Sequence, residues 1–245
     1  MKAAVYFGSY HIYYDMVAAY KSLLVNSDVD KVFLLIEDDT FPFPLHPAVE
    51  VINIKNLVPK IFNPRGVNYC SLWTYIGMIR GALATVFPQL DKILSIDCDT
   101  VVVKDISDLW DIPMDDYYVA GVKEPALSAQ HQYLYVNAGV TMWNLKKMRE
   151  DGKDKALIHA LDTKPYIFCS QDALNEVLQG GILELPSEYN ATRYTPTCDD
   201  YRVAHFAGNN PPDWRNLDIV KHYRDMPDKE VRILHAERLM DRQET

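Results

Sequence analysis

Three apolar stretches near the N-terminus, with a helical pattern between the first two, constrain the fold of this chain more than any other feature. Ala3 to Phe7 reads as a strand ending at Gly8. Asp15 to Leu24 spaces its apolar residues at helical intervals, Val32 to Ile36 is a second apolar run, and Val49 to Ile54 reads as a third strand. Near-continuous apolar runs belong to strands covered on both faces. Strand, helix and strand in that order predict a right-handed crossover and a mostly parallel sheet flanked by helices, an α/β fold.

Further along, Ser71 to Phe87 is predicted as one long helix, with Ser71 at its N-cap and Pro88 closing it. Lys92 to Ile96, Tyr117 to Val122, Tyr135 to Trp143 and Val203 to Phe206 read as strands. Asn144 to Arg149, Ser170 to Gln179 and Asp228 to Arg242 read as helices, with Ser170 at an N-cap and Gly180 as a C-terminal stop. Repeats, low-complexity tracts and linkers are missing from the pattern, so the 245 residues are expected to form one domain.

A net charge of −9 argues against a nucleic-acid or anionic-membrane surface, which needs a basic face. No apolar run reaches the roughly 20 residues of a membrane span, although a peripheral contact through the C-terminal segment stays open. The N-terminus reads as a first strand rather than a signal peptide. Cys70, Cys98, Cys169 and Cys198 are far apart, without a Cys-x-x-Cys, so reduced thiols in a cytoplasmic protein are expected. Oligomeric state is not encoded legibly.

Chemistry concentrates at Asp97-Cys98-Asp99, directly after the strand Lys92 to Ile96. Carboxylates one residue apart on extended chain point to the same side. Such charge beside a buried strand needs a cation, and ligands of open α/β sheets gather at the carboxyl ends of strands. Asp28-Val29-Asp30 has the same spacing but precedes its strand, next to Asn26 and Ser27, where a solvated turn accounts for it. Context, not spacing, separates the two. A turn or cap remains the structural alternative for Asp97 and Asp99.

Five segments in order then match one pattern: Arg80 with Asp91 to Asp99; Asp105 to Trp110; Val136-Asn137-Ala138-Gly139-Val140 with Trp143-Asn144-Leu145; Gln171 to Asn175; and His205-Phe206-Ala207-Gly208 with Pro212 and Trp214. On these motifs the chain resembles glycosyltransferase family 8. The resemblance implies a single GT-A domain with a Rossmann-like mixed sheet. Its nucleotide-binding half would cover about residues 1–110, and its donor-sugar and acceptor half about 111–245. It also implies a retaining transfer of a sugar, a hexose above all, from a UDP-sugar to a glycan, lipid-linked or protein acceptor.

In the family the metal ligands are the two aspartates and the motif histidine, here Asp97, Asp99 and His205. Two carboxylates and an imidazole suit Mn²⁺, with Mg²⁺ as the alternative. Arg80, Asn137, Ala138, Gly139, Ser170 and Gly208 are expected at the donor sugar and diphosphate. Phe7, Gly8, Ser9, Tyr10 and Cys98 are expected at the nucleotide. Without the family, Arg80 reads equally as an ion-pair arginine, Asn137 and Gly139 as a tight turn, and Phe7 as a core aromatic. Gln171 is expected nearest the reacting carbon and Asp172 beside it. An amide is a poor nucleophile, which favours same-face attack with Gln171 stabilising the cationic centre.

Three departures stand out, the first being that the opening strand leads to Ser9-Tyr10-His11 rather than the family's usual acidic or Asn-containing loop. Ser170 replaces an aspartate that commonly contacts the donor sugar. The lysine expected before Pro-Trp is missing from Asn209-Asn210-Pro211-Pro212-Asp213-Trp214, leaving Arg215 as a candidate replacement. A non-catalytic sugar-nucleotide-binding module and a sugar nucleotidyltransferase are the alternative readings. The latter lacks its usual Gly-rich basic loop.

Overall fold

A computed structural model describes residues 1–71 and 74–244, with side chains through Arg242. Its centre is a seven-stranded sheet in the order β3-β2-β1-β4-β7-β6-β8. The strands are β1 (Ala3–Gly8), β2 (Lys31–Ile36), β3 (Val49–Asn53), β4 (Lys92–Ile96), β6 (Val119–Lys123), β7 (Val136–Asn144) and β8 (Ile182–Leu185). Only β7 is reversed: it pairs antiparallel with β4 and with β6, while the other pairings are parallel. The sheet is therefore mixed, as the GT-A expectation required. Two three-residue strands, β5 (Thr100–Val102) and β9 (Val203–His205), form a separate antiparallel pair.

Alternation along β1 shows why its sequence is apolar throughout. Ala4 and Tyr6 pack into one core layer with Met16, Leu23 and Ile96. Ala3 and Val5 pack into the other with Phe33, Ile79, Phe87 and Trp143. Both faces are covered, so β1 carries apolar side chains on each, and the one hydroxyl among them, on Tyr6, donates to the Ala19 carbonyl at 3.2 Å. The helix Tyr13–Asn26 covers the first face, packing against the helices Asp218–Asp225 and Asp228–Glu244. Among the described residues, no helix is long and apolar enough to cross a membrane. All four cysteines are free thiols.

Three expectations are corrected. The predicted long helix is instead α-helical at Thr74–Met78, 3₁₀ at Ile79–Ala82 and α-helical again at Leu83–Val86. Gly77 and Gly81 weaken a continuous helix, and the tightened middle turn presses Gly81 against Leu161 and turns Arg80 toward the sheet. Ser71 lies in a bend, and the predicted first turn at residues 72–73 falls outside the described residues. Ser170 is the first residue of the helix Ser170–Val177, with Cys169 at the N-cap. Finally, Asp28 and Asp30 are not a solvated turn: Asp28 is buried and paired with Lys2 at 3.0 Å, and Asp30 with Arg242 at 2.6 Å. Basic partners from the two ends of the chain supply the compensation that burial of charge requires.

Candidate active site

β4 delivers Asp97 and Asp99 at its carboxyl end, and the antiparallel pair of β5 and β9 supplies the third group. Thr100 stands opposite His205 in that pairing, and the Phe206 amide donates to the Asp99 carbonyl at 2.8 Å. The imidazole Nε2 thereby comes to 3.3 Å from an Asp99 oxygen and 3.8 Å from an Asp97 oxygen. One ligand atom from each of Asp97, Asp99 and His205 lies within 4.8 Å of the others, a spacing that fits a single cation.

Hydrogen bonding fixes which imidazole nitrogen faces that point. The Gly139 amide donates to one side-chain atom of Asn137 at 2.9 Å, so that atom is the carbonyl oxygen. Asn190 donates its Nδ2 to the same oxygen at 2.8 Å, which turns its own Oδ1 to His205 Nδ1, also at 2.8 Å. Nδ1 therefore carries the proton, and Nε2 presents a lone pair to two carboxylates. A lone pair facing carboxylate oxygens repels unless a cation or a second proton lies between them. The donor set thus fits a divalent metal, with Asn190 in the orienting role that histidine ligands require. Without a metal the proton takes that place. Burial opposes charge on His205, but Asp99 and Asp97 outweigh it and raise its pKa. Burial raises the Asp99 carboxyl in turn, and His205 and Arg80 outweigh that, leaving it below the ordinary range.

Arg80 pairs its guanidinium with Asp97 and rests 4.7 Å from the Phe7 ring centroid. A second polar chain runs from Asn137, whose Nδ2 donates to Glu124 Oε1 at 2.6 Å. Gln171 completes it: Oε1 accepts from the Ala138 amide at 2.9 Å, and Nε2 reaches Glu124 Oε1 at 3.2 Å and the Tyr135 hydroxyl oxygen at 3.4 Å. The Tyr135 hydroxyl in turn donates to Asp172. Burial pushes the Glu124 carboxyl up, and the Asn137 and Gln171 bonds partly offset this.

These elements surround a cavity of about 570 Å³, within the usual range for small-ligand sites. Of the residues singled out in the sequence, Phe7, Gly8, Ser9, Arg80, Asp97, Cys98, Asp99, Ser170 and Gln171 line it. The Cys98 thiol there is kept protonated by burial and by the flanking aspartates. Asp15, Asn209 and Arg215 close one side. Arg215 grips Asp15 through Nε at 2.8 Å and Nη2 at 2.7 Å, with half its side chain exposed.

Other predicted residues stand behind the wall or away from it. Asn137, Ala138 and Gly139 are buried in β7 and act through the polar chain. His205 is buried at the base of the carboxylate pair. Asp172 is held by Tyr135 and by the Phe168 amide at 2.8 Å, outside the cavity lining. Gly208 has φ +69° in the following turn and does not line the cavity. Tyr10 is 67% exposed and lines a neighbouring groove with Tyr13, Tyr14 and Phe43.

Comparison with known proteins fits this arrangement. The sequence profile described as Glycosyl transferase family 8 matches residues 37–217. The chain belongs to glycosyl transferase family 8. Among its relatives, General stress protein A of Bacillus subtilis (strain 168) is 28% identical over 168 residues, covering 56% of this chain and 57% of that protein. The lipopolysaccharide 1,2-glucosyltransferase of Escherichia coli (strain K12) is 29% identical over 168 residues, covering 55% and 48%. The chain thus spans about half the length of these relatives. The family 8 fold extends to solved structures. The galactosyltransferase LgtC, in complex with donor and acceptor sugar analogs, superposes with TM-score 0.67 at 19% identity over 96% of this chain and 95% of that one. The apo bifunctional glycosyltransferase WbbM gives 0.72 at 19% identity over 98% and 52%.

Glu124, Asn190 and Tyr135 were missed from the sequence. Glu124 carried the same signature as Asp97, a carboxylate directly after an apolar strand. Asn190 carried none.

Proposed function

We propose that this family 8 chain is a metal-dependent retaining glycosyltransferase that moves a hexose from a UDP-sugar to a glycan, lipid-linked or protein acceptor. The observation that carries the reading is the convergence of Asp97, Asp99 and the Nε2 lone pair of His205 beside a cavity whose wall also holds Gln171. Mn²⁺, or Mg²⁺ in its place, would supply Lewis-acid neutralisation of the departing diphosphate. Asp97, Asp99 and His205 would hold it.

Among the described residues, Arg80 and Arg215 are the cations lining the cavity. Arg80 is committed to Asp97 and orients that ligand. Arg215 is half exposed, and beyond its bonds to Asp15 and a long one from Nη1 to Asn209 Oδ1 at 3.4 Å it keeps N–H donors that a phosphate can take. Phe7, Gly8, Ser9 and Cys98 form the wall on the nucleotide side.

The distribution of carboxylates favours same-face attack over double displacement. Among the described residues, the carboxylates lining the cavity are Asp15, Asp97 and Asp99. The first is gripped by Arg215, and the other two face the metal point. None is free beside Gln171. The Gln171 amide therefore stabilises positive charge at the anomeric carbon through its carbonyl dipole, while the departing diphosphate takes the acceptor's proton.

Incubation with UDP-glucose or UDP-galactose and Mn²⁺, with NMR of the product's anomeric configuration, tests the reading. Retention supports it and inversion refutes it. Binding of a UDP-sugar with neither transfer nor hydrolysis would favour the non-catalytic module. Wild-type turnover after exhaustive chelation would remove the metal.

A further inference from the structure

We infer that Glu124 is a positioning residue: one oxygen of its buried carboxylate fixes the amide of Gln171, and the group takes no covalent part in transfer. The inference rests on the transferase reading above and assigns a role to a carboxylate which that reading does not use.

A carboxylate in contact with Gln171 invites the opposite assignment, as a nucleophile. Its placement argues against that. Glu124 is 5% exposed and does not line the cavity. Oε1 already accepts two hydrogen bonds, from Asn137 at 2.6 Å and from Gln171 at 3.2 Å. The backbone around it is pinned: its amide donates to the Tyr135 carbonyl at 2.8 Å, and its carbonyl accepts from the Ser128 amide at 2.9 Å. The side chain therefore leaves the chain just past β6 with Oε1 on Asn137 and Gln171 and outside the cavity lining.

The contacts instead specify an amide orientation. The Ala138 amide can only donate, so it selects the oxygen of Gln171. The Glu124 carboxylate can only accept, so it selects the nitrogen. The Tyr135 hydroxyl, which donates to Asp172, accepts from the same nitrogen at 3.4 Å, longer than the 3.2 Å to Glu124, so the contacts to Ala138 and Glu124 set the place of the amide. The same Oε1 holds Asn137, which holds Asn190, which holds His205. One carboxylate oxygen thus references both the amide at the reacting centre and the imidazole of the metal cluster. Sub-ångström placement of this kind carries large rate factors.

The test compares Glu124→Ala and Glu124→Gln with wild type for hydrolysis of UDP-glucose and UDP-galactose in Mn²⁺. Glu124→Ala is expected to lower kcat by about 10²-fold, the scale for a misplaced group, with KM little changed. Glu124→Gln keeps a carbonyl oxygen that accepts from both partners, and is expected to stay within about tenfold of wild type. A Glu124→Gln variant as slow as Glu124→Ala would show that the charge itself is used and overturn the proposal. Restoration of Glu124→Ala by azide, with a glycosyl azide as product, would do the same. A crystal structure of Glu124→Ala gives a reading independent of turnover. A displaced or split Gln171 amide supports the proposal, and an unmoved one overturns it. A wild type inert toward both sugars would count against the transferase reading, while the crystal structure would still decide the positioning role.

Discussion

Gly139 and His205 compete for one volume. A Cβ at residue 139 would lie 2.1 Å from the imidazole Cε1 and 2.6 Å from Nδ1. The glycine is needed for close approach rather than for an unusual backbone angle. Gly139→Ala must push the ring off the carboxylate pair. We expect Mn²⁺ affinity to fall by about 10-fold or more, as for disturbed ligand orientation. Overpacking should also cost about 1–3 kcal/mol of stability. Calorimetric titration and thermal melting would measure both, and wild-type affinity would refute the steric account.

Asn190 should behave as an extension of the metal site although it touches neither carboxylate. Asn190→Ala removes the acceptor for Nδ1–H and frees the ring to change tautomer. A loss of about 10–100-fold in Mn²⁺ affinity is expected, the usual scale for such partners. Asn190→Asp keeps an acceptor and should lose less. Equal titration curves for wild type and Asn190→Ala would show that the ring is held by packing alone.

Arg215 should carry ground-state binding of the donor. Arg215→Gln is expected to raise KM for the UDP-sugar about tenfold, the worth of one charge-assisted hydrogen bond, with kcat nearly unchanged. Arg215→Lys should recover part of the loss. If KM stays at the wild-type value, the arginine serves only to tie the loop to Asp15.

Acid sensitivity should arise far from the site, at His46. Burial and the neighbouring His235 hold His46 down to about 4, from an ordinary 6.5. Its Nδ1 accepts from the Ala48 amide at 3.0 Å, a bond that protonation destroys. The folded value lies below the unfolded one, so the unfolded chain binds the extra proton first. Stability is therefore present above about pH 6.5 and is lost as pH falls toward 4. Melting temperature should drop across that window. His46→Asn, which keeps an acceptor, should flatten the drop; an unchanged slope would place the sensitivity elsewhere.

The legible part of this site lay where one element sufficed. Asp97 and Asp99 could be read because the apolar run before them located the end of a strand. His205 could not be joined to them by pattern alone, because the joining strands β5 and β9 are three residues each, too short for periodicity to register. The motif resemblance supplied what periodicity could not. Glu124 was overlooked because it follows β6 as a single carboxylate, without the second one that made Asp97 and Asp99 a pair. Asp28 was misread because its partners, Lys2 and Arg242, come from opposite ends of the chain. The broken helix around Arg80 was hidden because apolar spacing is similar in α and 3₁₀ turns over so short a span.

The single reversed strand has a consequence for divergence. Because β7 runs against β4 and β6, its first residues arrive on the same side of the sheet that its neighbours' last residues leave. The residues between Glu124 and Tyr135, 125–134, depart from that side and return to it, and the bond from the Glu124 amide to the Tyr135 carbonyl closes their base, so they can lengthen, shorten or change composition without shifting either strand's register. The corner built by Asp97, Asp99 and His205 draws on other segments. A lineage built on this frame can therefore rewrite the loop that borders the groove at Pro125, Ser128 and Tyr133 and keep its cation corner unchanged.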